Sequence, residues 1–334
     1  METRVKTAVP FCVCAGLLAA GIVIAADPPQ TEISNSEVRV RLYLPDPESG
    51  YYRATRFDWS GVISSLEYKG HTYFGQWFEK YDPKIHDAIM GPVEEFTTDS
   101  AGFGYNDAKA GGPFLRIGVG AVRKPPQPPS SRFFTYDIAD PGLWTVQRGP
   151  DWISFTQTVP ATSGYAYVYR KTLRLTKDKP ELVLEHSLKN TGQRAIETSV
   201  YDHNFFVIDN QPSGPDIVVK FPFETKAAGD LKDILQVRDK QVTFRRKLEK
   251  NETILTPITG FSNSANDYNI VVENHKTGAG VRVTGDQPLT RLVFWSAPKV
   301  VSPEAYVTLK IEPGAERTWR MAYEFYTLPT AGKQ

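Results

Sequence analysis

Beyond Ala26, almost every periodic stretch of this chain repeats every two residues. Residues 38–44 (VRVRLYL), 166–175 (AYVYRKTLRL), 181–188 (ELVLEHSL), 271–274, 281–283 and 306–311 (YVTLKI) all follow this period. Successive side chains of an extended backbone point to opposite faces, so such alternation marks strands with one buried face. Turn sequences separate the runs: Lys189-Asn190-Thr191-Gly192, Thr284-Gly285-Asp286 and Glu312-Pro313-Gly314. Strand follows strand with short connections, which disfavours βαβ units and predicts antiparallel pairing. Runs as long as 165–176 and 194–208 favour large packed sheets over a small barrel. Residues 226–236 are the one place where a short helix is expected. Residues 100–113 read as a long glycine-rich loop, and 124–131 (KPPQPPSS) as a stiff proline-rich connection.

The N-terminus reads differently. Arg4 and Lys6 precede an apolar stretch from about Ala8 to Ala26 that ends in small residues. This is the pattern of a secretory signal cleaved after Ala25 or Ala26, and it predicts an exported protein, periplasmic or secreted. The competing reading is a retained anchor, since the run is near the lower length limit for spanning a bilayer. Cys12 and Cys14 both lie in this stretch. A mature chain from 27 to 334 then has no disulfide, no thiol nucleophile and no cysteine metal site. It is long enough to bury most of its apolar surface, and a single β domain is expected.

The net charge is +1, with acids and bases interspersed. The absence of a basic block argues against a nucleic-acid partner. Aromatic residues make up 12% of the chain, enough both to fill a β core and to stack on sugar faces. The five histidines are His71, His86, His186, His203 and His275. None falls in an HExxH or HxH spacing, and there is no Gly-x-Ser-x-Gly elbow, so metalloprotease and serine-hydrolase readings have no motif behind them.

The run Tyr201-Asp202-His203-Asn204-Phe205-Phe206 is the most suggestive. Alternation over 194–208 puts Ala195, Glu197, Ser199, Tyr201, His203 and Phe205 on one face. Ile196, Thr198, Val200, Asp202 and Asn204 take the other. The second face begins apolar and turns polar, and the first does the reverse, as in a strand leaving a core for a cleft. His203 is then either a half-buried histidine with its hydrogen bonds satisfied or an acid working beside aromatic rings. Ser302-Pro303-Glu304 lies in another strand-rich stretch, where Glu304 is either a turn glutamate or a partner for that histidine.

The string Asn190-Thr191-Gly192, then Ile196, then His203-Asn204-Phe205-Phe206 resembles a segment of the aldose 1-epimerase (galactose mutarotase)-like superfamily. Ser302-Pro303-Glu304-Ala305-Tyr306, Ile311-Glu312-Pro313-Gly314 and Trp319 to Tyr326 resemble that superfamily's ending. His86-Asp87-Ala88-Ile89-Met90-Gly91 loosely resembles its histidine- and glycine-rich loop, and 57–66 resembles an early strand. The matches occur in order from about residue 50 to Tyr326. The resemblance implies an all-β fold, a β-supersandwich of large antiparallel sheets, and a carbohydrate ligand, either a mono- or an oligosaccharide. It implies that His203 is the general acid and Glu304 the general base of anomer interconversion, with no metal or organic cofactor. An imidazolium with a free pKa of about 6.5 suits protonation of the ring oxygen, and a carboxylate suits removal of the anomeric proton.

His86 matches a second, substrate-contacting histidine in part, because Asp87-Ala88-Ile89-Met90 replaces the superfamily's second histidine and double glycine. Arg56, Asp202, Asn204 and Trp295 are further candidates for sugar contact; each has an alternative reading as strand surface, solvent-facing polar residue or core aromatic. Glu94 and Glu95 form an acidic pair. Two alternatives to an epimerase stand beside it: a sugar-binding protein without turnover, and a glycoside hydrolase or lyase on the same fold. The hydrolase needs two carboxyls across one bond, such as Glu304 with Glu94 or Glu95.

Overall fold

The computed structural model describes residues 27–329. Residues 1–26, where a secretory signal is expected and where both cysteines fall, lie outside the described residues. Among these residues there are twenty-three strands, two single-turn 3-10 segments and no α-helix. Every strand pair is antiparallel, as in Tyr165–Leu175 with Glu181–Asn190 and in Ile196–His203 with Val300–Ile311. Two large sheets dominate. One has ten strands, running from Leu235–Arg238 at one edge through Glu316–Thr327 and Glu181–Asn190 to Leu143–Arg148 at the other. The second has six strands and contains, in order, Ile254–Thr259, Arg291–Ala297, Val300–Ile311, Ile196–His203 and Val93–Thr97 after a short edge strand.

The two sheets pack face to face. One apolar cluster joins Leu182, Leu184, Tyr323 and Phe325 of the ten-stranded sheet to Ile196, Val200, Phe294 and Leu309 of the six-stranded sheet. Alternation decides what lies on the reverse of the smaller sheet. Leu292 and Phe294 face the shared core, so Val293 and Trp295 face away; Val93 and Phe205 join a second cluster with Phe57 and Trp59. That second layer covers the end of the strand 196–203. Its final residues are therefore buried on both faces, where alternation alone predicts one exposed side.

Two expected elements differ. The helix expected over 226–236 is a short strand, Lys226–Ala227, followed by a turn. The Asp230 carboxylate accepts the Lys232 N–H at 2.8 Å, and Lys232 adopts a left-handed φ of 52°. A side chain that closes its own turn in this way competes with helix formation. The strand expected over 194–208 ends at His203. Phe205 takes a φ of 39°, an uncommon conformation for a non-glycine residue, and folds its ring back onto the His203 imidazole.

Candidate active site

Strand register brings the two sequence-distant candidates together. Val200 pairs with Val307 and Ser199 with Thr308. Continued along the strands, the same register sets Tyr201 beside Tyr306 and His203 beside Glu304, all on the face turned away from the main core. The tyrosine rings stack at 4.2 Å, and His203 Nε2 lies 3.2 Å from Glu304 Oε1. Both side chains of the histidine–glutamate pair are nearly inaccessible. Phe205 stacks flat on the imidazole at 3.7 Å; Phe57 and Trp295 meet it edge-on at 5.7 and 5.0 Å. His203 Nδ1 is buried without a hydrogen-bond partner. Tyr306 donates its hydroxyl to Glu304 Oε2 at 3.2 Å.

This enclosure sets the protonation. Burial, with the Arg56 cation nearby, pushes the His203 imidazolium well below its ordinary range. Burial also raises the Glu304 carboxyl to about 8, against the opposing pull of Arg56 and with help from the Glu95 charge. At neutral pH the pair holds one proton, and in the closed site it resides on Glu304. That is the reverse of the imidazolium and carboxylate implied by the resemblance.

A stability consequence follows. The folded state keeps a proton on Glu304 that the unfolded chain releases at its ordinary value of 4.5. The stability due to this group is therefore complete at low pH and is lost as pH rises toward about 8. Glu304→Gln should flatten that part of the decline. Thermal melts of both proteins between about pH 5 and about pH 8 should converge at the acid end and separate in favour of the variant at the alkaline end.

Arg56 forms the roof. Its Nε donates to Glu95 Oε2 at 2.8 Å and its Nη2 to the Tyr201 hydroxyl at 3.1 Å, while Nη1 meets the Asp87 carboxylate. Tyr201 donates to the same Glu95 oxygen at 2.5 Å. The guanidinium is held between Phe57 and Phe133, at 4.4 and 4.2 Å. Phe133 continues the stack onto the His86 ring at 4.9 Å, and His86 Nε2 reaches Asp87 at 3.1 Å. Phe133 belongs to the segment just after the proline-rich stretch 124–131. That connection therefore lays an aromatic cover over Arg56 and His86.

Asp202 and Asn204 do not line this site. Alternation turns them to the other face, where the Tyr323 hydroxyl lies 2.8 Å from both Asp202 Oδ2 and Asn204 Oδ1 and its single proton serves one of them at a time. Asn204 also donates to the Pro303 carbonyl at 2.8 Å, and its backbone N–H donates to Ser302 Oγ. They fix the end of one strand against the other and sit behind His203, out of reach of a sugar beside it. Trp295 packs nearly perpendicular to the imidazole, Phe205 and Trp77 rings, as part of the aromatic shell around the histidine. The expectation of an open hollow at the pair is likewise corrected. His203 and Glu304 line none of the five main cavities found among the described residues; Phe57, Phe205 and Trp295 pack around the imidazole, with Arg56 over Phe57.

Glu94 and Glu95 separate. Glu95 faces Arg56 and a neighbouring cavity, whereas Glu94 points into the interior. There Lys171 Nζ contacts it at 2.5 Å and His186 Nε2 at 2.6 Å, all fully enclosed. Asp58 lies 3.9 Å from Lys171 and is bonded by Ser60 and Tyr169. Gly118 permits this approach: a Cβ there would fall 2.7 Å from Asp58 Cβ. Burial alone pushes Glu94 up, but Lys171 and His186 outweigh it and hold the carboxyl down at about 2. Asp58 is pushed up to about 7, and Asp202, buried and near the Glu94 charge, to about 8. The interior thus carries the Lys171–Glu94 ion pair beside two carboxyls, Asp58 and Asp202, that burial shifts toward their neutral forms. No sequence motif marks Lys171 or His186. Their phase was a signal: Lys171 alternates with Tyr169 and Leu173, and His186 with Leu184 and Leu188, all buried.

The fold is shared with solved structures at low sequence identity. An aldose epimerase homologue from C. elegans aligns with a TM-score of 0.55 at 12% identity, over 90% of this chain and 99% of that one. A galactose mutarotase-like protein from Clostridium acetobutylicum gives 0.53 at 13%, over 90% and 99%. The Slr1438 protein from Synechocystis gives 0.55 at 13%, over 92% and 99%. No protein-family model matches the chain, and no curated protein matches it in sequence. At such identities the agreement is one of architecture, and the chain has the galactose mutarotase-like β-sandwich fold.

Proposed function

We propose that the protein acts on the anomeric centre of a sugar and interconverts anomers by ring opening, with His203 and Glu304 as the proton-transferring pair. The observation that carries this reading is the cross-strand placement of the two side chains 3.2 Å apart. The fold, shared with proteins described as aldose epimerases and galactose mutarotases, supports it. In the reaction the anomeric hydroxyl loses a proton while the ring oxygen gains one, and the bond between C1 and the ring oxygen breaks. The aldehyde rotates about C1–C2 and the ring recloses on the other face. One proton must be held and one accepting site left free, which is the state that burial imposes on this pair. Transfer of that proton from Glu304 to His203 leaves the total charge unchanged and produces the carboxylate and imidazolium that the reaction can equally use. Access of a sugar to the pair requires the Phe133 cover over Arg56 to open. Anomer exchange followed by NMR on a panel of neutral and acidic sugars tests the reading; acceleration of none of them defeats it.

The enclosure favours one alternative, a sugar-binding protein without turnover. A sugar that binds by calorimetry and whose anomer exchange is not accelerated would select it.

A further inference from the structure

A cavity of about 480 Å³ lies against the outer side of Glu95, and its walls include Tyr105, Arg116, Ser131, Arg132 and Tyr136. The Glu95 carboxylate at its base is already met by Arg56 and Tyr201. The two arginines are not so balanced: neither guanidinium has a carboxylate within 4.0 Å among the described residues. Arg116 donates Nη1 to the Ala101 carbonyl at 2.8 Å and stands 6.0 Å from the Tyr136 ring. Arg132 lies 4.3 Å over the Phe133 ring. A guanidinium has five donors in a planar fork suited to an oxyanion. Burial lowers the Arg116 pKa, with Glu95 opposing only in part. Arg116 is half-buried and Arg132 stands exposed at the rim, so an arriving anion supplies Arg116 with the counter-charge it lacks.

We infer that this cavity binds the oxyanion of an acidic sugar, either the carboxylate of a uronic acid or the phosphate of a sugar phosphate, on Arg116 and Arg132. This rests on the sugar reading above and names its substrate class. The half-buried Tyr105 supplies aromatic surface to the sugar, while Tyr136 is buried beneath Arg116 as part of the wall. The hydroxyls nearest the base of the cavity meet Glu95 and Arg56, which connect through Tyr201 and Tyr306 to Glu304. A neutral hexose offers the two guanidinium groups hydroxyls alone, and hydrogen bonds to charged partners are about twice as strong as neutral ones.

Calorimetry on the full chain with glucuronate, glucose 6-phosphate, glucose, acetate and inorganic phosphate tests this. At least one acidic sugar should bind about tenfold or more tightly than glucose and than either small anion, as one added charge-assisted contact provides. Arg132→Met should weaken that binding about tenfold and glucose binding by clearly less, so that the preference for the acidic sugar shrinks. Arg116→Lys keeps the charge and removes the fork, so it should lose affinity and preference together while remaining folded by circular dichroism. Equal affinity for glucose and the acidic sugars overturns the inference. So does inorganic phosphate binding as tightly as glucose 6-phosphate, or acetate as tightly as glucuronate, which would mark a plain anion site. The two readings fail separately: acidic sugars that bind without faster exchange defeat the epimerase alone, and exchange restricted to neutral sugars defeats the acidic-sugar preference alone.

Discussion

Lys171→Met should destabilise the fold by about 3–5 kcal/mol, the loss expected when one partner of a buried ion pair is removed. The ammonium is fully enclosed and lies 2.5 Å from Glu94 and 3.9 Å from Asp58. Methionine fills much of the same volume, so the loss reports charge more than packing. Without the cation, Glu94 keeps only His186 to hold it ionised, in a place where burial favours the neutral acid. Adding Glu94→Gln should recover much of the loss, because a pair replaced together leaves no buried charge uncompensated. Urea and thermal unfolding of the two variants measure both effects. A Lys171→Met protein within about 1 kcal/mol of wild type would mean that water or relaxation solvates Glu94. That would remove the case for a dry interior behind His203.

Much of this architecture was legible because alternation is a local signal. The runs 166–175 and 181–188 became adjacent strands of the ten-stranded sheet, with Leu173 and Leu184 directly paired. The side of the strand that carries Tyr201 and His203 was legible for the same reason. Register was not. Nothing in the local sequence fixes Val200 opposite Val307, yet that pairing turns two isolated candidates into neighbours. The motif resemblance supplied the association that periodicity could not. Burial on both faces was also hidden: Phe57, Trp59 and the segment carrying Phe133 come from distant loops and close over a strand end that alternation reads as half exposed. The closed pair and its inverted protonation both follow from that cover.

Lys171, His186 and Glu94 show the limit from the other side. Their phase points inward, but charge is the usual reason to assign a residue to the surface, since an unpaired ion is rarely buried. Only the convergence of three strands offsets the desolvation of each. The same preference makes Asp202, polar and next to His203, look like a sugar contact, whereas alternation turns it toward Tyr323. A strict reading of phase, kept even for charged residues, places all four correctly.

His203→Ala and Glu304→Gln should each lower the rate of anomer exchange by about 10²–10⁴-fold, the usual contribution of a positioned acid or base. The double variant should lose little more than the worse single one, because two groups that share one proton act as a unit. The pH dependence is the sharper measurement. Two independent side chains with free values of about 6.5 for the imidazole and about 4.3 for the carboxyl would give a maximum between those limits. The buried pair predicts a different profile. Activity should persist well below the ordinary histidine range, where His203 is still neutral, and fall only as Glu304 gives up the shared proton near about 8. Glu304→Gln should abolish the alkaline limb together with most of the rate. Wild-type exchange in both single variants would remove the pair from the mechanism. Rate loss with an optimum near pH 5.4, midway between the two free values, would keep the residues but mean that the site opens to water before the proton moves.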